Sequence, residues 1–376
     1  MKVMIAIDSF KGSLSSLEAG NAVAEGIKLA NANIETEVCP LADGGEGTVE
    51  ALTWGMGGEI QSITAVNPLG ENITCQYGIV GKTAIIEIAS AAGLTLIEQQ
   101  KRNPLYTTTY GVGEMIKHAI QKGCRRFIVG IGGSATNDGG IGMLQALGYG
   151  MLNKHGEQVC YGALGLKELY KITTENVLPE LKQCTFYIAC DVNNPLCGEK
   201  GCSAVFAPQK GATEQMIKDM DKWLEKYAIL SKSVSKNADS NIAGTGAAGG
   251  IGFAFLAYTN AVLQSGIDIV LKEIDLESKI KTADIVVTGE GKLDKQTVMG
   301  KAPIGVAKLA KKYNKPVIAF AGSVTSESRI CNQHGIDAYF SILHTVTTLE
   351  QAMQKELARQ NIIETSEQVF RLYTLK

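Results

Sequence analysis

The chain has 376 residues, of which 45% are hydrophobic and 20% are charged, and its formal net charge is −2. A near-neutral chain without a basic stripe is not expected to bind nucleic acid, and no apolar run approaches the ~18 residues that span a membrane. The 42 glycines exceed the roughly 26 that average usage would give, and they are concentrated in a few short blocks.

The N-terminal region predicts alternating strands and helices. KVMIAID (2–8) is typical of a buried strand, and Ser15 and Glu18 form a capping box at the start of a helix. TEVCPLAD (36–43) predicts the next strand, and GGEGTVEALTWGMGG (44–58) contains a second, shorter helix. This β–α–β–α order indicates a parallel sheet.

The central region has a different pattern. Residues 59–90 contain short β-rich runs with turn signals and no helix between them, which predicts antiparallel strands. A glycine-rich α/β stretch and the polar segment SKSVSKNADSN (231–241) follow. A helical pattern then resumes over IGFAFLAYTNAVLQ (251–264).

The C-terminal region returns to the first pattern. Strands are predicted in ADIVVTGEG (283–291), KPVIAFAGSV (315–324) and DAYFSILH (337–344), and Pro303 opens a helix that extends through Lys312. Because two regions of like character flank a different one, we predict a discontinuous parallel α/β domain with an α/β domain inserted in it. The predicted ranges are 1–62 with 283–376, and 63–282; two consecutive domains are the simpler alternative.

The nine cysteines do not follow a metal-binding spacing. No C-x-x-C pair occurs, and the loose group of Cys184, Cys190, Cys197 and Cys202 does not match a zinc ribbon or finger. The N-terminus reads as a strand and not as a signal peptide. We therefore expect reduced thiols in a cytoplasmic protein.

Five glycine-rich blocks lie at predicted strand ends or in loops, and each also contains polar side chains. Backbone N–H groups in such loops bind anions, lysine suits phosphate, and carboxylates suit Mg²⁺. A single block of this kind is usually only a turn, and in the fourth block glycine and alanine could simply permit close helix packing. The blocks are DSFKGS (8–13), ADGGEGT (42–48), GIGGSATNDGG (130–140), GTGAAGG (244–250) and TGEGKLD (288–294).

Two segments match the dinucleotide-binding pattern G-x-G-x-x-G/A, so an NAD-dependent oxidoreductase of a small hydroxy acid is one alternative. The first match begins at Gly130 after a predicted strand, and the second begins at Gly244 after a segment that does not predict a strand. No G-x-x-x-x-G-K-[ST] motif and no protein-kinase signature occurs. A non-catalytic sensor of sugar acids is a further alternative.

Taken in order, the blocks resemble those of the type-1 glycerate kinase family. The family implies phosphorylation of D-glycerate by ATP, usually at the 2-hydroxyl, so 2-phosphoglycerate is the favoured product, and the carboxylates of the blocks suit Mg²⁺ as the accompanying metal. It also implies a flavodoxin-like parallel-sheet domain interrupted by a mixed α/β domain related to restriction endonucleases, with the active site in the cleft between them. We expect a monomer or homodimer. The matching runs are DSFKGSLSS, LADGGEGT, NPLG, TTTYGVGE, GIGGSATNDGG, GMLQALG, CDVNNPLCGEKGCSAVFAPQKGA, GTGAAGGIGFA and GEGKLDKQTVMGKAP.

This resemblance directs the assignment of site residues. Asp191, which follows the apolar run TFYIAC, is the candidate base that orients the attacking hydroxyl, and Lys11 and Lys292 are candidates for the transferring phosphoryl group or the glycerate carboxylate. Turn capping by Asp191 and solvent exposure of the lysines are the ordinary alternatives. The remaining candidates are Gly132, Gly133, Ser134, Thr136, Asn137, Gly244, Gly246, Gly289, Glu290 and Gly291 for ATP, Ser9, Asp43, Gly44, Gly45 and Thr109 for glycerate, and Asp8, Asp138 and Asp294 for the metal.

Overall fold

The computed structural model describes residues 1–375, and the chain separates into two compact units. The first unit comprises Met1–Asp43, Glu50–Gly57 and Ile267–Lys376, and the second comprises Gly44–Val49 and Gly58–Gly266. Within residues 1–375, no helix is both long and apolar enough to cross a membrane.

Both units contain strands and α-helices. The strands are β1 (Lys2–Ile5), β2 (Glu35–Val38), β3 (Glu59–Val66), β4 (Asn72–Val80), β5 (Thr83–Glu87), β6 (Arg126–Gly130), β7 (Gly150–Leu152), β8 (Lys171–Thr173), β9 (Thr185–Ala189), β10 (Asn260–Gln264), β11 (Ile285–Leu293), β12 (Val317–Val324) and β13 (Ala338–Ser341). The α-helices are α1 (Ser16–Ala30), α2 (Thr48–Gly55), α3 (Ala89–Ala92), α4 (Tyr110–Gln121), α5 (Ile141–Ala146), α6 (Ala163–Glu168), α7 (Cys202–Phe206), α8 (Glu214–Ser231), α9 (Ala247–Tyr258), α10 (Gly266–Glu273), α11 (Leu276–Thr282), α12 (Ala302–Lys311), α13 (Ile330–Gln333), α14 (Leu349–Ala352) and α15 (Lys355–Tyr373).

The first unit is built on a five-stranded sheet in the order β13-β12-β11-β1-β2, and every neighbouring pair is parallel. The parallel sheet predicted from the strand–helix alternation is confirmed. The predicted capping box is confirmed as well, because the Glu18 N–H donates to the Ser15 hydroxyl while the Glu18 carboxylate accepts from the Ser15 N–H. Helices α1 and α15 pack together, and their apolar faces share a buried core with β1, β11 and β12.

The second unit contains a six-stranded mixed sheet in the order β10-β9-β6-β5-β4-β3. Strands β10, β9, β6 and β5 are parallel, whereas β5, β4 and β3 are antiparallel, so the prediction for residues 59–90 is confirmed. The rings of Phe127 and Phe186 stack at 4.6 Å between centroids in its core. The chain is therefore an α/β protein with one parallel and one mixed sheet.

One local prediction is wrong. Residues 260–264 form strand β10 and not the end of a helix, because Thr259 adopts an extended conformation and Asn260 pairs in parallel with Thr185 on β9. This pairing with a neighbouring strand, which single-sequence periodicity does not detect, determines the local structure. The fifth glycine block lies at the end of a strand, as predicted, since β11 continues to Leu293 and pairs Lys292 with Ser323 on β12.

Candidate functional site

A cavity of about 440 Å³ lies in the first unit at the carboxyl ends of its parallel strands. Open α/β sheets bind ligands at this edge, because loops from several strands meet there. All five strands contribute to the lining: Asp8 follows β1, Asp43 follows β2, Glu290 to Lys292 end β11, Gly322 and Ser323 lie on β12, and Ile342 and Leu343 follow β13.

The carboxyl group of Asp8 is the most buried acid of this cavity, with 4% of the residue exposed. Burial, together with the neighbouring charge of Asp43, raises its pKa to about 7, although its Oδ1 accepts a 2.7 Å hydrogen bond from the Ser9 N–H. The Lys11 ammonium lies 3.2 Å from Asp43 Oδ2. Four of the predicted residues therefore meet here, and a cation would relieve the repulsion between the two carboxylates.

A second acid–base group lies on the same cavity. Thr297 Oγ1 donates to Glu290 Oε1 at 2.6 Å, and the Lys301 ammonium lies 3.4 Å from Glu290 Oε2. Burial raises the pKa of Glu290. Lys292 extends from the end of β11 with about half of its side chain exposed, and its ammonium lies 3.2 Å from Asp294. Asp294 is not among the lining residues, whereas Lys301, which sequence reasoning missed, is one of them.

The backbone on this edge needs glycine for close approach. A Cβ on Gly289 would lie 2.1 Å from the Phe320 carbonyl oxygen, and one on Gly322 would lie 2.7 Å from that of Gly291. Gly289 is buried, and Gly291 lines the cavity. Glycine in this block therefore serves sheet packing at one position and access to the cavity at another.

In the second unit, two predicted blocks adjoin at the carboxyl edge of the mixed sheet. A Cβ on Gly130 would lie 2.4 Å from the Gly44 carbonyl oxygen, and one on Gly132 would lie 3.5 Å from Gly45 Cα. Gly132 and Gly133 are exposed, and Gly133 has a φ of 72°. These backbone groups are open to a ligand.

The polar residues that follow in this block point into the protein instead. Thr136, Asn137 and Asp138 are fully buried. The Asp138 carboxylate accepts hydrogen bonds from the Thr109 N–H and hydroxyl and from the N–H groups of Gly140 and Gly142. Thr109, also fully buried, begins α4 without capping it by its side chain. This arrangement fixes the loop, and the assignments of these residues to ligands remain predictions.

Lys210 is a functional candidate that sequence reasoning missed. It is 2% exposed, and its ammonium donates to Ser134 Oγ at 2.8 Å and to the Thr136 carbonyl at 2.6 Å. Burial lowers its pKa to about 8. A buried lysine directly beside an exposed glycine turn adds positive charge behind the backbone N–H groups. The neighbouring residues in the run FAPQKGA do not indicate that this lysine is buried.

The fourth glycine block is used for packing. A Cβ on Gly249 would lie 2.0 Å from the Thr136 carbonyl oxygen, and one on Gly246 would lie 2.2 Å from that of Pro195. Gly244, with a φ of 88°, is buried, and a Cβ there would lie 2.6 Å from Leu263. The residues are tightly enclosed, as the packing interpretation of this block expects.

Asp191 follows β9 at the same edge of the mixed sheet and is exposed. Its Oδ1 accepts a hydrogen bond of 3.1 Å from the Gly266 N–H, after the end of the neighbouring strand β10. This bond joins Asp191 to a residue 75 positions later in the chain, so it is a contact between strand ends and not the local turn cap that was the ordinary alternative.

The pattern of one protein family matches residues 3–374, and that family is described as the Glycerate kinase family. The chain belongs to the glycerate kinase family. It is 45% identical over 378 residues to a glycerate kinase of Haemophilus influenzae, with full coverage of both chains. It is 46% identical to the glycerate 2-kinase of Escherichia coli K12, covering 94% of this chain and 93% of that protein. A crystal structure from Salmonella typhimurium LT2 has a TM-score of 0.91 and 44% identity, covering 99% and 98% of the two chains.

Similarity to glycerate kinases over nearly the whole chain supports the kinase class against the oxidoreductase alternative, which rested on two isolated motif matches. The Gly244 match to the dinucleotide pattern follows no strand and is enclosed by packing. Within residues 1–375, no group of three or more His, Cys, Asp or Glu side chains could hold a metal ion alone. Mg²⁺ in kinases is bound by one or two carboxylates and by substrate phosphates, so Asp8 and Asp43 fit this role without a third acid.

Proposed function

We propose that this protein transfers a phosphoryl group from ATP to a hydroxyl of D-glycerate, giving phosphoglycerate and ADP. The observation that carries the proposal is the cavity in the first unit, where buried carboxylates and lysines meet at the carboxyl edge of a parallel sheet. Phosphoryl transfer requires mainly positioning and neutralisation of charge, and these groups provide both. The similarity to the glycerate 2-kinase of Escherichia coli favours the 2-hydroxyl as acceptor.

The residues take distinct roles in this proposal. Asp8, with Asp43 beside it, would hold Mg²⁺, which supplies charge neutralisation on the phosphates when bound. Lys11 and Lys292 bind the transferring phosphoryl group or the glycerate carboxylate, since both side chains line the cavity and are partly exposed. We assign the same role to Lys301, because its ammonium group pairs with Glu290 and both residues line the cavity.

Asp191 is proposed as the group that accepts the proton of the attacking hydroxyl. Its exposed position at a strand end supports the role, and its hydrogen bond to the Gly266 N–H fixes the orientation of the carboxylate. The exposed turn at Gly132 and Gly133 is proposed to bind an anionic group of a substrate through its N–H groups.

We also propose that the first unit, predicted as 1–62 with 283–376, is a flavodoxin-like domain, and that the second unit, predicted as 63–282, is an insert related to restriction endonucleases. The strand order β2-β1-β11-β12-β13 supports the first part, because flavodoxin-like sheets run 2-1-3-4-5 in chain order. Catalysis in a cleft between the domains stays a prediction. A change in small-angle scattering when D-glycerate and a non-hydrolysable ATP analogue are added tests it.

Phosphorus NMR of the product tests the function directly. The purified protein is incubated with D-glycerate, ATP and Mg²⁺, and the phosphorus resonance is assigned through its coupling to the proton on carbon 2 or the protons on carbon 3. We expect 2-phosphoglycerate and an equal amount of ADP. ATP consumption without a phosphoglycerate signal would contradict the proposal, and 3-phosphoglycerate would contradict the proposed position. Light scattering on a sizing column separates monomer from homodimer.

A further inference from the structure

One wall of the cavity in the first unit is uncharged and mostly apolar, and it has no role in the chemistry assigned so far; it is called the apolar wall below. The wall comprises the lining residues of the segment 342–358, and none of them is charged: Ile342, Leu343, Thr347, Thr348, Leu349, Ala352, Met353 and Ala358. Leu349 is 76% exposed and Met353 is 37% exposed. Large apolar side chains that remain open to solvent inside a cavity are suited to cover a ligand surface.

We propose that this apolar wall binds the purine base of ATP, with Leu343, Leu349 and Met353 as the principal contacts. The inference rests on the proposed phosphotransfer function and adds to it the side of the cavity on which the nucleotide lies. The charged residues of the same cavity, Lys11 and Lys301 among them, then face the phosphates.

The chemistry of the two substrates decides which one fits the wall. Glycerate is a three-carbon acid whose carboxylate and two hydroxyls require polar partners, and it has almost no apolar surface to bury. A purine has two flat faces that gain from contact with aliphatic and thioether side chains. A cavity of about 440 Å³ also exceeds what a three-carbon acid requires, and it falls within the range of sites for larger ligands.

The wall is joined to the charged part of the cavity at one point. A Cβ on Gly12 would lie 2.5 Å from Met353 Cε, so the methionine packs against the turn that carries Lys11. The Met353 N–H bonds to the Leu349 carbonyl, and the Thr348 hydroxyl caps this short turn by accepting from the Gln351 N–H. The apolar contacts are thereby held beside the lysine, as a ligand with a flat base and a polyanionic tail requires.

The test compares ADP with inorganic tripolyphosphate, which has the charge of a nucleotide tail but no base. Calorimetry measures the binding of each to the wild type and to the variants Leu349→Asn and Met353→Asn. Asparagine is neutral, so it removes apolar contact without repelling phosphate. We expect ADP to bind roughly tenfold more weakly to each variant, while tripolyphosphate binds within about twofold of the wild type.

Val346 provides the matched control, because it lies in the same segment, is fully exposed and does not line the cavity. Val346→Asn should bind ADP as the wild type does. Equal weakening of ADP and tripolyphosphate, or wild-type ADP binding by both wall variants, would overturn the inference, as would a rise in the KM for glycerate instead of ATP. Phosphoglycerate formation by the wild type is measured in parallel. Its absence refutes the proposed function, whereas turnover together with unaltered ADP binding in the variants refutes only the base site.

Discussion

The buried ammonium of Lys210 gives a prediction about stability that can be worked out from the structure. The side chain donates to Ser134 Oγ and to the Thr136 carbonyl and is 2% exposed. Burial lowers its pKa from 10.5 to about 8, with the thiol of Cys202 and the carboxylate of Asp138 opposing the change. At about 1.36 kcal/mol per pH unit, the charged form costs the folded state roughly 3 kcal/mol.

The sign of the pH dependence follows from where the proton is lost. Between about pH 8 and pH 10.5 the unfolded chain keeps the Lys210 proton while the folded protein has released it. The free energy of unfolding contributed by this group therefore rises with pH in that window, and it is lowest below pH 8. Lys210→Met abolishes this contribution and leaves two buried oxygens without their donor, at about 1–3 kcal/mol each.

The cost of Lys210→Met should therefore be modest at neutral pH and larger in alkali. We expect the difference in unfolding free energy between wild type and variant to grow by roughly 2–3 kcal/mol from about pH 7 to about pH 10. Urea unfolding is followed by the fluorescence of Trp223, in a Trp54→Phe background so that only the second unit reports. A difference that stays constant over this range would refute the interpretation that the lysine is held charged in a dry site.

Three further predictions concern catalysis, charge and backbone packing. Asp191→Asn should lower kcat by about 100-fold or more in a coupled ADP assay with an unaltered thermal unfolding curve, and near-normal turnover would exclude Asp191 as the base. Because burial raises the pKa of Asp8 to about 7, the free energy of unfolding of the wild type should fall as pH rises from about 4 through 7. Asp8→Asn should avoid this loss, so that in urea titrations without metal its unfolding free energy exceeds that of the wild type by up to roughly 4 kcal/mol. Gly249→Ala should destabilise the protein by several times the roughly 1 kcal/mol expected for Gly123→Ala. Both glycines have a positive φ, but only at position 249 would the added Cβ clash, with the Thr136 carbonyl oxygen. Equal melting temperatures of the two variants would contradict this prediction.

The sequence predicts best where local chemistry determines the outcome. The Ser15 capping box, the antiparallel run at 59–90 and the parallel strands of the first unit follow from neighbouring residues and periodicity, and all are confirmed. The strand at 260–264 was beyond such reasoning, because its conformation depends on pairing with β9, which lies some seventy residues earlier along the chain.

The candidate site was predictable in part for the same reason. Carboxyl ends of parallel strands converge, so polar residues after β1 and β2 and near the end of β11 could be expected to share one cavity, and Asp8, Lys11, Asp43 and Glu290 do. Burial of individual side chains was not predictable. The loop GIGGSATNDGG reads as uniformly small and polar, yet its glycines at 132 and 133 are exposed while the side chains at 136–138 are buried.

This contrast gives a physical account of the glycine excess. At Gly132 and Gly133 the absence of a side chain leaves backbone N–H groups accessible, whereas at Gly249 it lets one chain segment lie directly on another. The two uses are linked, because the segment at Gly249 packs on Thr136 and its carbonyl accepts a 2.9 Å hydrogen bond from the N–H of Gly139 in the same loop. The buried ammonium of Lys210 donates hydrogen bonds to the same loop, at Ser134 Oγ and at the Thr136 carbonyl. A flexible glycine turn would lose much of its conformational entropy on binding an anion. Because packing and a buried lysine already hold this turn in one conformation, that entropy is lost on folding and not on binding.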